Sequence, residues 1–179
     1  ADRDGQSHSK RRRRRQDLIR PLSSRSTPSI VSANTIVSSL LSVQTRGTGF
    51  IDITGEVAKF LREAGAREGA VTLFIRHTSA SLVIQENADP TVRADLQRFF
   101  ARLIPDGDQP GVRYQHDAEG PDDMPAHIKA ALTQTSLGIP LLDGELGLGT
   151  WQGIYLWEHR HGPHRRELIV QVLGQVLGA

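Results

Sequence analysis

Two alternating runs that meet at residues 77–87 constrain what this chain can fold into. Val71, Leu73, Ile75 and His77 fall on one face of a period-2 run, and Leu82, Ile84 and Glu86 on one face of the next. Alternation of this kind specifies half-buried strands, and here each inward row finishes in a polar side chain. His77 and Glu86 therefore leave the core at the rim of a sheet. They read either as hydrogen-bonded rim groups or as members of a site assembled there.

The remaining elements follow from similar patterns. Ile36 to Thr45 is β-branched and apolar, a first strand, and Gly47 and Gly49 allow a bend into Phe50–Ile53. Thr54 is placed to cap a helix carrying Val57, Phe60, Leu61 and Ala64, which Gly65 ends. Asp89-Pro90 predicts a cap and a first-turn proline, with Val92, Leu96, Phe99, Phe100 and Leu103 as a buried stripe. Residues 105–123 form a long polar loop, a length at which functional loops are over-represented. A third helix from about Pro125 to Gln134 is expected to bury Ile128, Ala131 and Leu132. Strands at Ser136–Leu142, Trp151–His159 and Leu168–Leu173 complete the chain, with a turn at Asp143-Gly144. The fold class is α+β, a mostly antiparallel sheet packed with helices in the order β-β-α-β-β-α-α-β-β-β.

Composition narrows the function classes. The 179 residues suffice for one domain, expected at residues 34–179. Residues 1–33 carry nine Lys or Arg against three acids, including Lys10 and Arg11 to Arg15, and are too poor in apolar residues to form a core. A disordered basic tail is expected there. The remainder has a net charge of −4, so nucleic acid is not an expected partner except through that tail. No apolar run approaches the roughly 20 residues of a membrane helix. There is no cysteine, which excludes disulfides and thiolate metal sites, fits a reducing compartment and leads us to expect a cytoplasmic protein.

Candidate site residues come from three further places. The long loop supplies His116-Asp117, Glu119 and Asp122-Asp123, and the third helix carries His127 and Lys129. His116 and His127 are too far apart in sequence for a local metal motif, so any metal site must be assembled by folding. In the strand at 151–159, Ile154, Leu156 and Glu158 share one face, so Glu158 repeats the pattern of His77 and Glu86. The opposite face holds Trp151, Tyr155, Trp157 and His159, three of the four Trp and Tyr residues in the chain. That face is read as a subunit contact, the alternative being coverage by the same chain. Arg165, Arg166 and Lys129 are the bases near these clusters, available for a phosphate or for ion pairs with the acidic loop. Ser79, Ser81 and Thr78 can add hydroxyl donors. No GxGxxG, P-loop or GxSxG pattern is present.

Several ordered motifs together resemble the YjbQ family, also called UPF0047. They are His77-Thr78-Ser79-Ala80-Ser81-Leu82, Glu86-Asn87-Ala88-Asp89-Pro90-Thr91-Val92-Arg93 and Tyr114-Gln115-His116-Asp117-Ala118-Glu119-Gly120. Asp122-Asp123-Met124-Pro125-Ala126-His127-Ile128-Lys129, Gly149-Thr150-Trp151-Gln152-Gly153-Ile154, Glu158-His159-Arg160 and Arg165-Arg166 continue the match. The resemblance runs from Val43 onward and leaves residues 1–33 without a counterpart. It implies a compact α+β subunit that assembles as a homotrimer. It also implies a secondary thiamine-phosphate synthase activity, the coupling of a pyrimidine diphosphate to a thiazole phosphate with release of pyrophosphate.

Two functions of different class are carried forward. In the first, a transferase-type enzyme acts on a small phosphorylated metabolite with a divalent ion, zinc favoured, held by His77, His116 and His127. Glu86 and Glu158 then serve as acid–base or orienting groups, and Ser79, Lys129, Arg165 and Arg166 hold the phosphate. In the second, a trimeric module captures an anionic metabolite without chemistry.

Overall fold

The structure, a computed structural model, describes residues 25–177. Most of the segment expected as a disordered basic tail therefore lies outside the described residues, and residues 25–34 are exposed and without regular structure. The elements are β1 (Thr35–Gln44), β2 (Gly49–Asp52), α1 (Thr54–Glu63), β3 (Ala66–Ile75), β4 (Ala80–Glu86) and α2 (Pro90–Leu103). They continue with α3 (Asp123–Leu132), β5 (Ser136–Leu142), β6 (Glu145–Leu146), β7 (Gln152–Glu158) and β8 (Arg165–Val176). The strand missing from the expected order is β6, a two-residue partner of β5 across the Asp143-Gly144 turn. Both turn residues have positive φ, 51° and 84°, which aspartate and glycine tolerate and which hairpin turns of this length require.

The strands form two antiparallel sheets, one in the order β1-β8-β3-β5-β6 and one in the order β2-β7-β4. The inward rows do what their alternation specifies. Val71, Leu73 and Ile75 of β3 join Leu168, Val170 and Val172 of β8 and Leu137, Ile139 and Leu141 of β5 in one core. Leu82, Ile154 and Leu156 from the smaller sheet and Val57 and Leu61 from α1 close it. Each such side chain, once fully buried, contributes about 1.5–3 kcal/mol of transfer free energy. Row ends are thus fixed in space by the burial of the rows themselves.

The helices depart from their sequence patterns in instructive ways. α1 is not capped by Thr54: Asp52 Oδ1 accepts the Thr54 N–H at 2.9 Å, an Asx-type turn. The Thr54 hydroxyl is drawn off to accept the Ile154 N–H at 2.8 Å. Gly65 does end the helix, at φ 66°. α2 begins as expected, with the Asp89 carboxylate accepting the Thr91 N–H and Pro90 in the first turn. Its stripe, however, is not buried: Phe99 and Leu103 are 51% and 56% exposed. Val92, Leu96 and Phe100 are half-buried, with Phe100 edge-on to Trp157 at a ring-centroid distance of 4.9 Å.

α3 buries a different face from the one its apolar residues suggest. Asp123, Ala126, Lys129 and Ala130 are inside, while Ala131 and Leu132 are exposed and Ile128 is half-buried. Charged contacts at its first turn set its rotation and override the apolar stripe. The aromatic face of β7 is likewise covered from within the chain, which corrects its reading as a subunit contact. Phe50 of β2 stacks on Trp157 at 4.4 Å, Phe100 of α2 meets the same indole, and the Arg93 guanidinium lies 5.0 Å above the Tyr155 ring. Only Trp151 of that set stays exposed. Among the described residues, no helix is long and apolar enough to cross a membrane.

Candidate functional site

Three polar clusters surround the β3–β4 turn, residues 76–79, and the end of β7. The first is closed. Glu158 is fully buried and paired with Arg166, whose Nε donates to Oε2 at 2.7 Å and whose Nη2 donates to Oε1 at 2.5 Å. The Thr45 hydroxyl donates to Oε2 at 2.9 Å and the Arg160 N–H to Oε1 at 3.0 Å. Burial pushes this carboxyl up. The Arg166 guanidinium, the Arg160 N–H and the Thr45 hydroxyl outweigh it and hold it below the usual range. Arg166 also reaches the Ser79 carbonyl at 3.4 Å, the contact through which Ser79 enters the cluster.

His77 belongs to this side. Its Nε2 accepts the Glu167 N–H at 2.8 Å, and burial together with Arg166 lowers its pKa. A neutral ring whose Nε2 lone pair is committed to a backbone donor is a strand-end fastener. Arg165 lies apart on the β1 edge, donating to Ser42 Oγ at 2.7 Å beside Glu167. Glu86 holds the turn into α2, its Oε1 accepting the N–H groups of Ala88 at 2.8 Å and Asp89 at 3.3 Å.

The second cluster is open. His116 from the long loop and Asp123 and His127 from α3 each place a ligand atom within 4.8 Å of the other two. Asp123 stands four residues before His127, one helical turn, so both side chains leave the same face. Arg160 orients the pair of acids at the start of α3. It donates from Nε to Asp122 Oδ2 at 3.0 Å, from Nη1 to Asp123 Oδ1, and from Nη2 to the Glu119 carbonyl at 2.8 Å. The His161 N–H adds a bond to Asp122 Oδ2 at 2.8 Å. Burial alone raises the Asp122 pKa, but these donors reverse it and leave the group ionised.

What remains unpaired in this cluster is informative. Asp123 is 2% exposed, and its Oδ2 has no hydrogen bond although His116 Nε2 is 2.8 Å away, outside hydrogen-bond geometry. His127 Nδ1 lies 3.0 Å from the Thr78 carbonyl, which can only accept, so Nδ1 carries the proton. Nε2 of His127 is then a free lone pair, 3.6 Å from Asp123 Oδ1. A buried orphan carboxylate oxygen beside two imidazoles, one with its tautomer fixed by a backbone carbonyl, fits the donor set of a divalent ion. His77 is not in this group, and Asp123 stands in it where the sequence suggested a third histidine. A cavity of about 310 Å³ opens beside His116, walled by the loop residues Gly107, Arg113, Tyr114 and Asp117 among others. Arg113 is exposed and has no ion-pair partner among the described residues.

The third cluster lies on the aromatic side of β7. His159 is 1% exposed and meets Ser81 Oγ through Nε2 at 2.9 Å. Burial, then the nearby Lys129 charge, lowers its pKa to about 3, so the ring is neutral. Burial also lowers the pKa of Lys129.

The fold and these clusters define a small antiparallel α+β protein with a polar site at the ends of its strands. Comparison with known proteins places it further. The family model described as UPF0047 protein YjbQ-like matches residues 39–175, and the chain belongs to that family. It is 53% identical over 137 residues to the UPF0047 protein sll1880 of Synechocystis sp., covering 76% of this chain and 91% of that protein. It is 46% identical over 128 residues to YjbQ of Escherichia coli O157:H7, covering 70% and 90% of the two chains. Among solved structures, an uncharacterised YjbQ/UPF0047 protein from Clostridium acetobutylicum matches with TM-score 0.68 and 38% identity, covering 75% of this chain and 99% of that one. The conserved hypothetical protein TT1486 from Thermus thermophilus matches with TM-score 0.66 and 39% identity, at 75% and 99% coverage.

Sequence reasoning singled out His116 and His127 and missed the roles of Asp123 and Arg160. The spacing Asp-x-x-x-His at the start of a predicted helix was the available signal for the first. For Arg160, 37 residues away from Asp123, no local signal exists.

Proposed function

We propose that this protein is a metal-assisted enzyme acting on a small phosphorylated substrate in the cytoplasm, with His116, Asp123 and His127 holding a divalent ion. The observation that carries the reading is the buried, unbonded Oδ2 of Asp123 facing two imidazoles. Two nitrogens and one carboxylate oxygen with positions left open suit zinc. When bound, such an ion supplies positive charge against a phosphoryl or pyrophosphate group. The chain's own residues do the rest. Arg160 fixes the Asp123 carboxylate, the Thr78 carbonyl fixes the His127 tautomer, and Arg113 offers a cation to a phosphate in the cavity beside His116. That cavity is within the size range of small-ligand sites, at about 300 Å³ and upward. Thiamine-phosphate synthesis from a pyrimidine diphosphate and a thiazole phosphate is the transfer we assign to this site, on the family resemblance. Neither Glu86 nor Glu158 has a role in proton transfer in this reading, because both are occupied as turn and ion-pair partners.

The homotrimer belongs to the same proposal, but through a different surface from the aromatic one. Ile36, Leu40, Phe74, Leu142 and Leu173 are exposed on strands of the five-stranded sheet, where Ile36 pairs with Leu173. Sedimentation of the wild type should give three times the subunit mass, and F74E should shift it to the monomer. The metal reading is tested by elemental analysis of the purified protein beside H116A/H127A, with turnover of the two thiamine precursors measured in parallel. Stoichiometric metal and thiamine phosphate formation, both lost in the variant, support the enzyme. Metal-free protein that binds phosphorylated ligands without turnover establishes the binding module instead.

A further inference from the structure

Lys129 leaves α3 about 200° around the helix from His127, at about 100° per residue, and so faces away from the open cluster. It enters a separate cavity of about 140 Å³ shared with Phe100, Asp106, Trp157, His159 and His161. Lys129, Trp157 and His159 are 6%, 3% and 1% exposed. Each keeps a donor without a partner among the described residues. Lys129 Nζ makes no ion pair or hydrogen bond, since none of the nearby acids comes within reach of it. Trp157 Nε1 and His159 Nδ1 are buried and unbonded. The indole nitrogen can only donate. Ser81 Oγ lies 2.9 Å from His159 Nε2 and has no other acceptor among the described residues; with the hydroxyl donating there, the imidazole proton sits on Nδ1. The one acid of the lining, Asp106, has its Oδ2 3.2 Å from His161 Nε2.

Two buried unbonded donors beside an unpaired ammonium, in a lining that also carries Gln97, Gln109 and Asp106, are costly unless something accepts from them, at about 1–3 kcal/mol for each buried group left unsatisfied. A single water accepts at most two such bonds. A tetrahedral oxyanion accepts them all and carries the charge opposite to that of lysine. We propose that this chamber is a binding site for a compact oxyanion of the phosphate class, gripped by Lys129 Nζ, Trp157 Nε1–H and His159 Nδ1–H. Its volume is well below the roughly 300 Å³ at which drug-sized ligand pockets begin, so it takes an inorganic anion or one terminal phosphoryl group. The site does not depend on the metal reading, because none of the three ion-holding side chains lines it.

The test uses the full chain carrying W151F, which removes the exposed indole and leaves Trp157 as the only tryptophan. Inorganic phosphate is titrated in chelator-treated buffer at constant ionic strength, with chloride as the control anion, while Trp157 emission and melting temperature are followed. The expected result is a saturable change in emission and a rise in melting temperature with phosphate only. K129M should weaken the response at least about tenfold, the scale of one lost charged donor. H116A/H127A should leave it unchanged even where metal binding is abolished. Should K129M fail to fold, H159F, which keeps a ring of similar size, takes its place with the same expectation. Absence of a saturable response, or a response untouched by both variants, overturns the proposal and leaves a chamber filled by water.

Discussion

The Glu158–Arg166 cluster and the His116–Asp123–His127 cluster are built from the same kinds of side chain, lie near the same β3–β4 turn and obey opposite rules. In the first, both carboxylate oxygens are bonded, the guanidinium donates to each of them, and the Nε2 of His77 beside it accepts a backbone N–H. In the second, among the described residues, a buried carboxylate oxygen has an imidazole beside it but no hydrogen bond, and the Nε2 of His127 has no donor. A buried polar group that is fully satisfied holds structure together. One that the fold protects from water and still leaves unsatisfied calls for a separate explanation, and a bound ligand is the one we propose for Asp123. Burial and charge alone do not separate the two cases, since Glu158 and Asp123 are both almost wholly inside.

The sharpest way to break that contrast is to unpair the closed cluster. R166M leaves a fully buried carboxylate without its cation, and should cost about 3–5 kcal/mol of unfolding free energy by urea titration. The double variant R166M/E158L should recover most of it, as apolar replacement of a whole buried pair is often close to neutral. Metal content per folded chain should be unchanged in both. If R166M strips the metal from protein that remains folded, the two clusters are one site and the contrast fails.

His159, next to Glu158 in sequence, gives the second test. Its pKa is depressed to about 3 in the fold from an ordinary value of 6.5. The unfolded chain therefore takes up the proton first on acidification. The stabilisation is complete above pH 6.5 and is lost progressively as the pH falls towards 3. Between pH 7 and pH 4 this group alone should remove roughly 3 kcal/mol. The measurement is the urea midpoint across that range for wild type and for H159F. The wild type should fall more steeply by about that amount, and parallel curves would show that the imidazole is not held neutral.

These cases also show how much the sequence disclosed. The inward rows of β3, β4 and β7 were legible because period-2 burial is a local property, and so was the Asp89-Pro90 start of α2. The buried face of α3 was not legible. Its apolar residues Ile128, Ala131 and Leu132 marked one side, but Arg160, far away in sequence, pulls Asp122 and Asp123 in and turns the helix. The aromatic face of β7 misled for the same reason, since its cover comes from Phe50 and Phe100 on other elements. His77 looked like a ligand because it ends an inward row, and only the register of β3 against β8 shows that a backbone N–H meets it there.

The third test follows from that register. H77A leaves the Glu167 N–H without its acceptor and should cost about 1–3 kcal/mol. Metal stoichiometry should be retained, whereas D123A, H116A or H127A should each release the metal. Loss of metal in H77A at unchanged fold would return His77 to the ligand set and place the turn between the two clusters inside the site.

The smallest expected effect concerns Glu86, which shares with His77 the position of a polar side chain ending an inward row. Its Oε1 accepts two backbone N–H groups in the turn that leads to Asp89 and the first turn of α2. That is the work of a cap, for which removal costs about 1 kcal/mol. E86A should therefore lower the urea midpoint slightly, and E86Q, which keeps an acceptor oxygen, should lower it less. Turnover of the thiamine precursors by the folded fraction should match the wild type in both. A general base would give the reverse order: E86Q as inactive as E86A, with stability untouched. The two variants thus decide by sign whether satisfaction of its hydrogen bonds is enough to remove a carboxylate from the chemistry.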